Sequence, residues 1–435
     1  MESESNRRFK VVCLLQNNGK TIGMEIIDPG GNIEQIPKQK FLAYKDNLEN
    51  AVVGSDGAIQ AKEGYFPVRE LEALPSADLL HKKVSKYTIM HEDIPVLTFD
   101  RTEDSVTVHE GKFLPFGLRG DIPPKPASVL EWLILRIDNL QRTYMNMVYL
   151  VRKVGRDRDK VLADSAGVSC TDNFWIKTSD VVTMWEELST LRDENQALST
   201  VALTGDMSGA SPLELLQGFT SLFTTKGYFT KAILGGYIYK LKEDALLELP
   251  AYLIGTHIGV PVAECGIENG FIKIKLFTSR AVSLVHAAEL KIYFDIRDEI
   301  YNQMLQLGRT DIISQLQRMY IFNYIIANPD LHDENTGLLY DAKTFEFLAV
   351  CPCYDHNIAF EENFGGLSRA TKGNSSSLPL DDWTRLFIKN HPDIVQRLKT
   401  LPYKEIGGYL SKQQLSELRG RVKKVIEWGK EALIL

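Results

Sequence analysis

Residues 328–341, NPDLHDENTGLLYD, place a dense polar segment directly after the apolar run at 319–327. Five of its residues are ionisable or carry a side-chain amide: Asp330, His332, Asp333, Glu334 and Asn335. A solvated turn is one explanation. The alternative is a loop that holds a metal ion and a phosphate group, since carboxylate and amide oxygens are the ligands that Mg²⁺ prefers. The rest of the chain has to distinguish the two.

Four features of the chain, that loop among them, fit phosphoryl transfer from ATP when they are taken in chain order. Lys240 ends a predicted strand, Glu248 follows on a predicted helix, Asp330 and Asn335 lie five apart, and Asp355 ends an apolar run. In such chemistry a lysine neutralises phosphates, a helix carboxylate orients it, one Asp receives the hydroxyl proton, and an Asn with a second Asp holds Mg²⁺. Each residue alone also has an ordinary explanation as an exposed side chain, a turn former or an N-cap.

The loop motif also resembles that of a known family. Asp330, His332 and Asn335 reproduce a D-x-H-x-x-N pattern, and Asp355 follows Tyr354 in a Y-D pair. Both are similar to the catalytic and metal loops of HipA-like serine/threonine kinases, the toxin-type bacterial kinases. The resemblance covers roughly residues 165–435. It implies ATP and Mg²⁺ as cofactors, Asp330 and His332 as catalytic residues, and Asn335 and Asp355 as metal ligands. His332 could itself be a metal ligand, but we favour a structural role in which it braces the loop.

The same resemblance implies an ATP-binding lysine and a phosphate loop. Lys240 matches the lysine, and Glu248 would brace it. The phosphate loop matches the segment that contains Thr224, Thr225, Lys226, Gly227 and Lys231. In the family a serine of this loop can be autophosphorylated and switch the enzyme off, so we hypothesise the same for Thr224 or Thr225, where added charge would repel ATP phosphates. The loop has a single clear glycine, which predicts weak nucleotide binding or a mobile loop.

Two other motifs match known sites only in part. NNGKT at 17–21 ends like a phosphate-binding Walker A loop, but Leu14 stands where that motif needs glycine, so we interpret it as a hairpin turn. The twelve residues from Asp330 to Asp341 have the length of a calcium loop. Their sixth position is Asn335 instead of glycine and their twelfth is Asp instead of Glu, which argues against calcium.

Composition limits the class of protein. The chain has 435 residues, 44% hydrophobic residues and a formal net charge of −7, typical of a globular protein and unfavourable for a general nucleic-acid coat. Its five cysteines are scattered without a CxxC pair, which favours a reducing compartment. The polar start MESESNRRFK lacks an apolar signal segment, and no apolar run reaches the length of a membrane span. We therefore predict a cytoplasmic protein without membrane contact.

The pattern of strands and helices predicts an α+β protein. We expect a small β-rich module at 1–80, a connecting region with strands and a long helix at 81–164, a kinase N-lobe-like part at 165–280 and a helical C-lobe-like part at 281–435. The resemblance to HipA-like kinases implies a protein-kinase-like, two-lobed HipA-type fold, which the β-rich module precedes. Residues 244–258 read as a helix despite Pro250, and residues 283–328 read as two long helices broken near 308–310.

Three function classes remain open on the sequence. The first is an ATP- and Mg²⁺-dependent serine/threonine protein kinase. The second is a pseudokinase or protein-binding module, which the glycine-poor phosphate loop favours. The third is a kinase-fold enzyme that acts on a lipid or small molecule. The resemblance implies a protein substrate of unknown identity and an antitoxin or regulatory protein as partner, and we expect no direct nucleic-acid binding.

Overall fold

The protein is described by a computed structural model that covers residues 8–17, 20–54, 58–62, 68–70, 85–137, 148, 152, 158–178, 184–188, 196–206, 222, 229–293, 300–361 and 380–431. The chain divides into two compact units. The first comprises 1–107, 133–170 and 174–236, and the second comprises 108–132, 171–173 and 237–435. Both units mix helices and strands. Among the described residues, no helix combines the length and the apolar character that crossing a membrane requires. The division into four parts drawn from the sequence stays a prediction.

The strands are β1 (Lys10–Asn17), β2 (Lys20–Ile27), β3 (Ile33–Pro37), β4 (Ala51–Val53), β5 (Ile59–Ala61), β6 (Val68–Glu70), β7 (Lys86–His91), β8 (Ile94–Asp100), β9 (Ser105–Val108), β10 (Phe174–Thr178), β11 (Lys231–Leu234), β12 (Tyr237–Leu241), β13 (Cys265–Glu268), β14 (Phe271–Lys275), β15 (Val282–His286), β16 (Gly337–Asp341) and β17 (Phe347–Val350).

The α-helices are α1 (Pro126–Leu135), α2 (Arg158–Ser165), α3 (Trp185–Leu188), α4 (Gln196–Thr204), α5 (Lys242–Ala245), α6 (Glu248–Ile258), α7 (Ala287–Tyr293), α8 (Ile300–Gln306), α9 (Thr310–Ile325), α10 (Leu380–Phe387), α11 (Pro392–Leu398), α12 (Tyr403–Ile406) and α13 (Lys412–Glu431). Short 3₁₀ helices occupy Lys38–Tyr44, Gly111–Phe113, Phe116–Leu118 and Ile388–Asn390.

The first unit is built on two four-stranded sheets with the orders β3-β2-β1-β6 and β10-β7-β8-β9. In the first sheet β1 and β2 pair antiparallel with Asn17 opposite Lys20, which agrees with the predicted hairpin, while the turn residues 18–19 lie outside the described residues. In β2, Met24 and Ile26 alternate onto one core, as a period of two requires, and a register shift between Val11 and Cys13 places Val11 and Leu14 of β1 on the same core. That core contains Val11, Leu14, Met24, Ile26, Ile36, Phe41, Leu48, Ala51 and Val53.

The second unit contains the residues that the sequence singled out most strongly. Strand β14 lies between β12 and β13 and pairs antiparallel with both. Helix α6 forms as predicted, and Pro250 is its third residue, where a missing backbone N–H costs no intrahelical hydrogen bond. Gly259 ends the helix in the left-handed region with φ of 75°, and its N–H bonds back to the last turn.

One prediction for the second unit is wrong. Residues 283–286 were expected to begin a long helix, and they belong to β15, the edge of a β15-β16-β17 sheet. Ser283, Leu284 and Val285 are all buried, so the run carries no alternation that would mark a strand. Pairing with β16, which lies more than fifty residues later, decides its conformation. The predicted break near 308–310 is confirmed, because α8 ends at Gln306 and α9 begins at Thr310.

Candidate active site

A buried ion pair joins the sheet that contains β12, β14 and β13 to helix α6. Lys240 lies on β12 opposite Ile272, so its side chain points to the core face of the sheet. Its Nζ donates to Oε1 of Glu248, the first residue of α6, over 2.7 Å. The two residues are only 3% and 4% exposed. A charge at such depth has to be paired, because burial without a partner costs far more than a surface ion pair gains.

Each partner of this pair shifts the pKa of the other. Burial alone would lower the pKa of Lys240, but the carboxylates of Asp355 and Glu248 outweigh it and raise that pKa above its usual value. Burial alone would raise the pKa of Glu248, but the Lys240 ammonium and a hydrogen bond from His356 lower it below its usual value. Both groups are therefore charged at neutral pH.

Asp355 meets the same lysine from a distant part of the chain. Its Oδ1 accepts from Lys240 Nζ over 2.9 Å. The residue has φ of 62°, in the left-handed region that residues other than glycine seldom adopt. The chain reaches this turn along a fixed path, since the N–H of Cys353 donates to Pro261 and the carbonyl of Cys353 accepts from Ala263. The surrounding contacts thus hold a strained turn that directs Asp355 to Lys240.

The polar loop that follows α9 is organised around Asp330. The Asn335 side-chain amide donates to the backbone carbonyl of Asp330 over 3.1 Å and to its Oδ2 over 3.2 Å. The N–H of Asp330 donates to Oδ1 of Asn328, and Asn328 in turn donates to Asn323 inside α9. Asn323 and Asn328 are buried. A chain of buried amides therefore anchors the loop to the helix and fixes the direction of Asp330.

His332 lies within this loop and accepts hydrogen bonds from it. The N–H of Glu334 donates to His332 Nδ1 over 3.2 Å, and the hydroxyl of Thr336 donates to the His332 carbonyl over 3.3 Å. Because Nδ1 accepts, the neutral imidazole carries its proton on Nε2. That nitrogen lies 3.8 Å from Asp330 Oδ2, beyond a direct hydrogen bond. The role of His332 in bracing the loop stays a prediction.

Tyr354 ties the loop to the Asp355 turn. Its hydroxyl donates to the Glu334 carbonyl over 2.9 Å. Glu334 precedes Asn335, and Tyr354 precedes Asp355, so the two predicted metal ligands follow two residues that are in contact. The side-chain oxygens of Asn335, Asp355 and Asp330 are hard donors that suit Mg²⁺. Within the described ranges no group of three or more His, Cys, Asp or Glu side chains is arranged around a common metal position. Mg²⁺ commonly binds to one or two carboxylates together with substrate phosphates.

The predicted phosphate loop falls mostly outside the described residues. The structure does not describe four of its residues, whose assignment stays a prediction: Thr224, Thr225, Lys226 and Gly227. Lys231 is described as a buried residue of β11 in the first unit, 5% exposed. Its predicted role toward nucleotide is likewise untested.

Two residues of the network were not singled out from the sequence. His356 and Asn357 follow Asp355 directly, and both are buried. His356 Nδ1 lies 3.0 Å from Glu248 Oε2, and Asn357 bonds both Lys240 and Asp355. The available signal was the polar Asp-His-Asn run between apolar residues, because buried polar residues need partners.

Gly337 sets the close approach of β15 and β16 next to the polar loop. A Cβ built on it would lie 2.1 Å from the carbonyl oxygen of Val285, a backbone atom that cannot move aside cheaply. We expect Gly337→Ala to lower the free energy of unfolding by about 1–3 kcal/mol, the usual cost of overpacking. The matched control is Gly266→Ala on β13, where a Cβ meets nothing within 4 Å. Denaturant unfolding of both variants measures the difference, and equal stabilities would contradict the close approach.

Comparisons with solved structures give distant neighbours, among them one kinase and one toxin–antitoxin complex. No protein-family model matches the chain, and no curated protein matches it. A crystal structure of the Helicobacter pylori proinflammatory kinase CtkA shares 14% identity at a TM-score of 0.31, and the match covers 45% of this chain and 90% of that one. A structure of the Shewanella oneidensis MR-1 toxin–antitoxin system, with HipA, HipB and operator DNA, shares 14% identity at a TM-score of 0.49, covering 80% and 97%. Likeness at this level carries no argument about activity, so function rests on the geometry of the site.

Proposed function

We propose that this protein is an ATP- and Mg²⁺-dependent serine/threonine protein kinase with a HipA-like, two-lobed fold. The observation that carries the proposal is the contact of one buried ammonium, that of Lys240, with two carboxylates, Glu248 and Asp355. A buried ion pair with a structural role needs only one partner. A kinase needs a lysine for phosphates, a helix glutamate that orients it and an aspartate for the metal, and the three act at one place.

The remaining roles follow from the loop geometry and the sequence resemblance. Asp330, held by Asn328 and Asn335, would receive or orient the proton of the acceptor hydroxyl. Asn335 and Asp355 would hold Mg²⁺, which when bound neutralises phosphate charge. His332 would brace the loop.

Nucleotide phosphates would contact Lys240 and the loop that contains Thr224, Thr225, Lys226, Gly227 and Lys231. This part of the proposal rests on the sequence resemblance. The same basis supports autophosphorylation of Thr224 or Thr225 and an antitoxin or regulatory protein as a partner. The substrate class is a protein that presents a serine or threonine hydroxyl.

Transfer of labelled γ-phosphate from ATP with Mg²⁺ tests the proposal. Wild type is expected to label itself or a protein in a cell lysate. Asp355→Ala is expected to lower the rate by about 100-fold or more, because it removes a group that stabilises charge at the phosphates. Asp382→Ala is the matched control, since it removes an exposed carboxylate in the first turn of α10. The control should label as wild type does.

The alternatives give different results in the same assay. A folded wild type that labels nothing with any divalent metal would overturn the kinase proposal in favour of a pseudokinase or protein-binding module. Label that enters a lipid or a small molecule, with no protein labelled, would show a kinase-fold enzyme with another acceptor.

A further inference from the structure

The Lys240 ammonium has no donor left over. A lysine ammonium carries three N–H groups, and three oxygens accept from this one. They are Glu248 Oε1 at 2.7 Å, Asp355 Oδ1 at 2.9 Å and Asn357 Oδ1 at 3.1 Å. A phosphate oxygen that bonds Lys240 therefore has to replace one of these three acceptors.

The three acceptors differ in strength, and Asn357 is the weakest. Glu248 and Asp355 are carboxylates, whose charge-assisted hydrogen bonds are roughly twice as strong as those of neutral groups. The Asn357 amide is neutral, and its distance to Lys240 is the longest of the three. A second contact also fixes the Glu248 side chain, since its other oxygen, Oε2, forms a hydrogen bond with His356 over 3.0 Å. A phosphate oxygen that replaces Asn357 as an acceptor of Lys240 therefore disturbs the site less than one that replaces either carboxylate.

Chemistry fixes the orientation of the Asn357 amide. Its Nδ2 donates to Asp355 Oδ1 over 2.7 Å while its Oδ1 accepts from Lys240. A flipped amide would direct its N–H groups at the ammonium and its oxygen at the carboxylate, so both contacts would become repulsive. Asn357 thus bridges the Lys240 ammonium and the Asp355 carboxylate.

We propose that Asn357 is a positioning residue that occupies the Lys240 donor which a nucleotide phosphate takes, and that it thereby sets the affinity for nucleotide. The inference rests on the proposed function, because it assumes that Lys240 binds phosphate. It adds a residue and a direction: the amide stabilises the nucleotide-free site and competes with the nucleotide. Removing the amide should destabilise the free protein and tighten nucleotide binding.

Calorimetric titration with ADP, with and without Mg²⁺, tests this proposal on the full chain. Asn357→Ala is expected to bind ADP about five- to tenfold more tightly than wild type, the equivalent of one hydrogen bond that no longer has to be exchanged. Its thermal midpoint without nucleotide should fall, because a buried N–H loses its acceptor. Asn357→Leu keeps the side-chain volume without the amide and is expected to shift the affinity in the same direction. It provides the same test where the alanine variant is too unstable to titrate.

The control is Asn302→Ala, which removes an exposed amide from α8 and should leave affinity and midpoint unchanged. Opposite shifts of the midpoint and the affinity in the Asn357 variants would support the proposal, since a purely structural amide would weaken both. Wild type that binds ADP with variants that bind equally or more weakly would overturn this inference and leave the kinase proposal standing. Wild type that binds no ADP would overturn both.

Discussion

Replacing Asp330 with asparagine is expected to lower the rate of phosphate transfer by about 100-fold or more while it leaves ADP binding and the free energy of unfolding close to wild type. Asparagine retains an oxygen that can accept from Asn335, and the backbone bonds of Asp330 to Asn328 and Asn335 do not depend on the side chain. The Asp330 side chain is 32% exposed, so the change buries no new polar group. The oxygen of an amide is too weakly basic to accept the proton. Loss of a positioned base typically lowers the rate by roughly 10²–10⁴-fold.

The measurement is the rate of labelled phosphate transfer, together with ADP titration and denaturant unfolding of the same preparations. Asp333→Asn is the matched control, since it makes the same substitution three residues later in the same loop. It should retain activity within a few-fold of wild type. An Asp330→Asn variant that keeps most of its activity would exclude Asp330 as the group that receives the proton, whatever the outcome for Asp355.

Glu248→Ala is expected to lower the free energy of unfolding by about 3 kcal/mol, the lower end of the cost of leaving half of a buried ion pair. The variant removes the closest acceptor of the Lys240 ammonium and the partner of His356. Asp355 and Asn357 still accept from Lys240, which is why the cost stays at the lower end. A deeply buried ammonium that loses one of two carboxylates cannot recover the difference from water.

The control for this prediction is Glu264→Ala. Glu264 Oε2 lies 3.4 Å from Lys275 Nζ, with the two side chains 62% and 56% exposed. Exposed ion pairs contribute about 0–1 kcal/mol, so Glu264→Ala should change stability by no more than that. Urea unfolding of the two variants gives the comparison. Equal and small losses would show that the Lys240–Glu248 pair is solvated in solution and would weaken the case for a buried site.

Much of the helical and strand pattern is contained in local sequence. The hairpin of β1 and β2 follows from alternation and a turn signal, and α6 follows from helical spacing that tolerates Pro250 in its first turn. Strand β15 does not follow, because all of its central residues are buried and the run reads equally well as a helix. Its partner is β16, and no local signal marks that pairing.

Some residues of the candidate site can also be predicted from the sequence, and others cannot. Lys240, Glu248 and Asp355 could be chosen by type and order, and the structure brings them into contact. For His356 and Asn357 the polar Asp-His-Asn run is a signal of buried polar residues, but it does not identify their partners, because the directions of both side chains depend on the left-handed turn at Asp355, which contacts elsewhere maintain. The functional roles of all these residues remain predictions until transfer is measured.

The contacts of Lys240 also determine when the site can form during folding. Lys240 meets Asp355 across 115 positions of sequence, and Glu248 meets His356 across 108. Closing loops of that length costs entropy that is recovered only once both ends are in place, so these contacts form late. A nascent chain that has not yet emerged past residue 357 holds its lysine without the second carboxylate. Under the proposed function, the growing polypeptide stays inactive on the ribosome and gains kinase activity only when the segment that carries Asp355 is synthesised and folded.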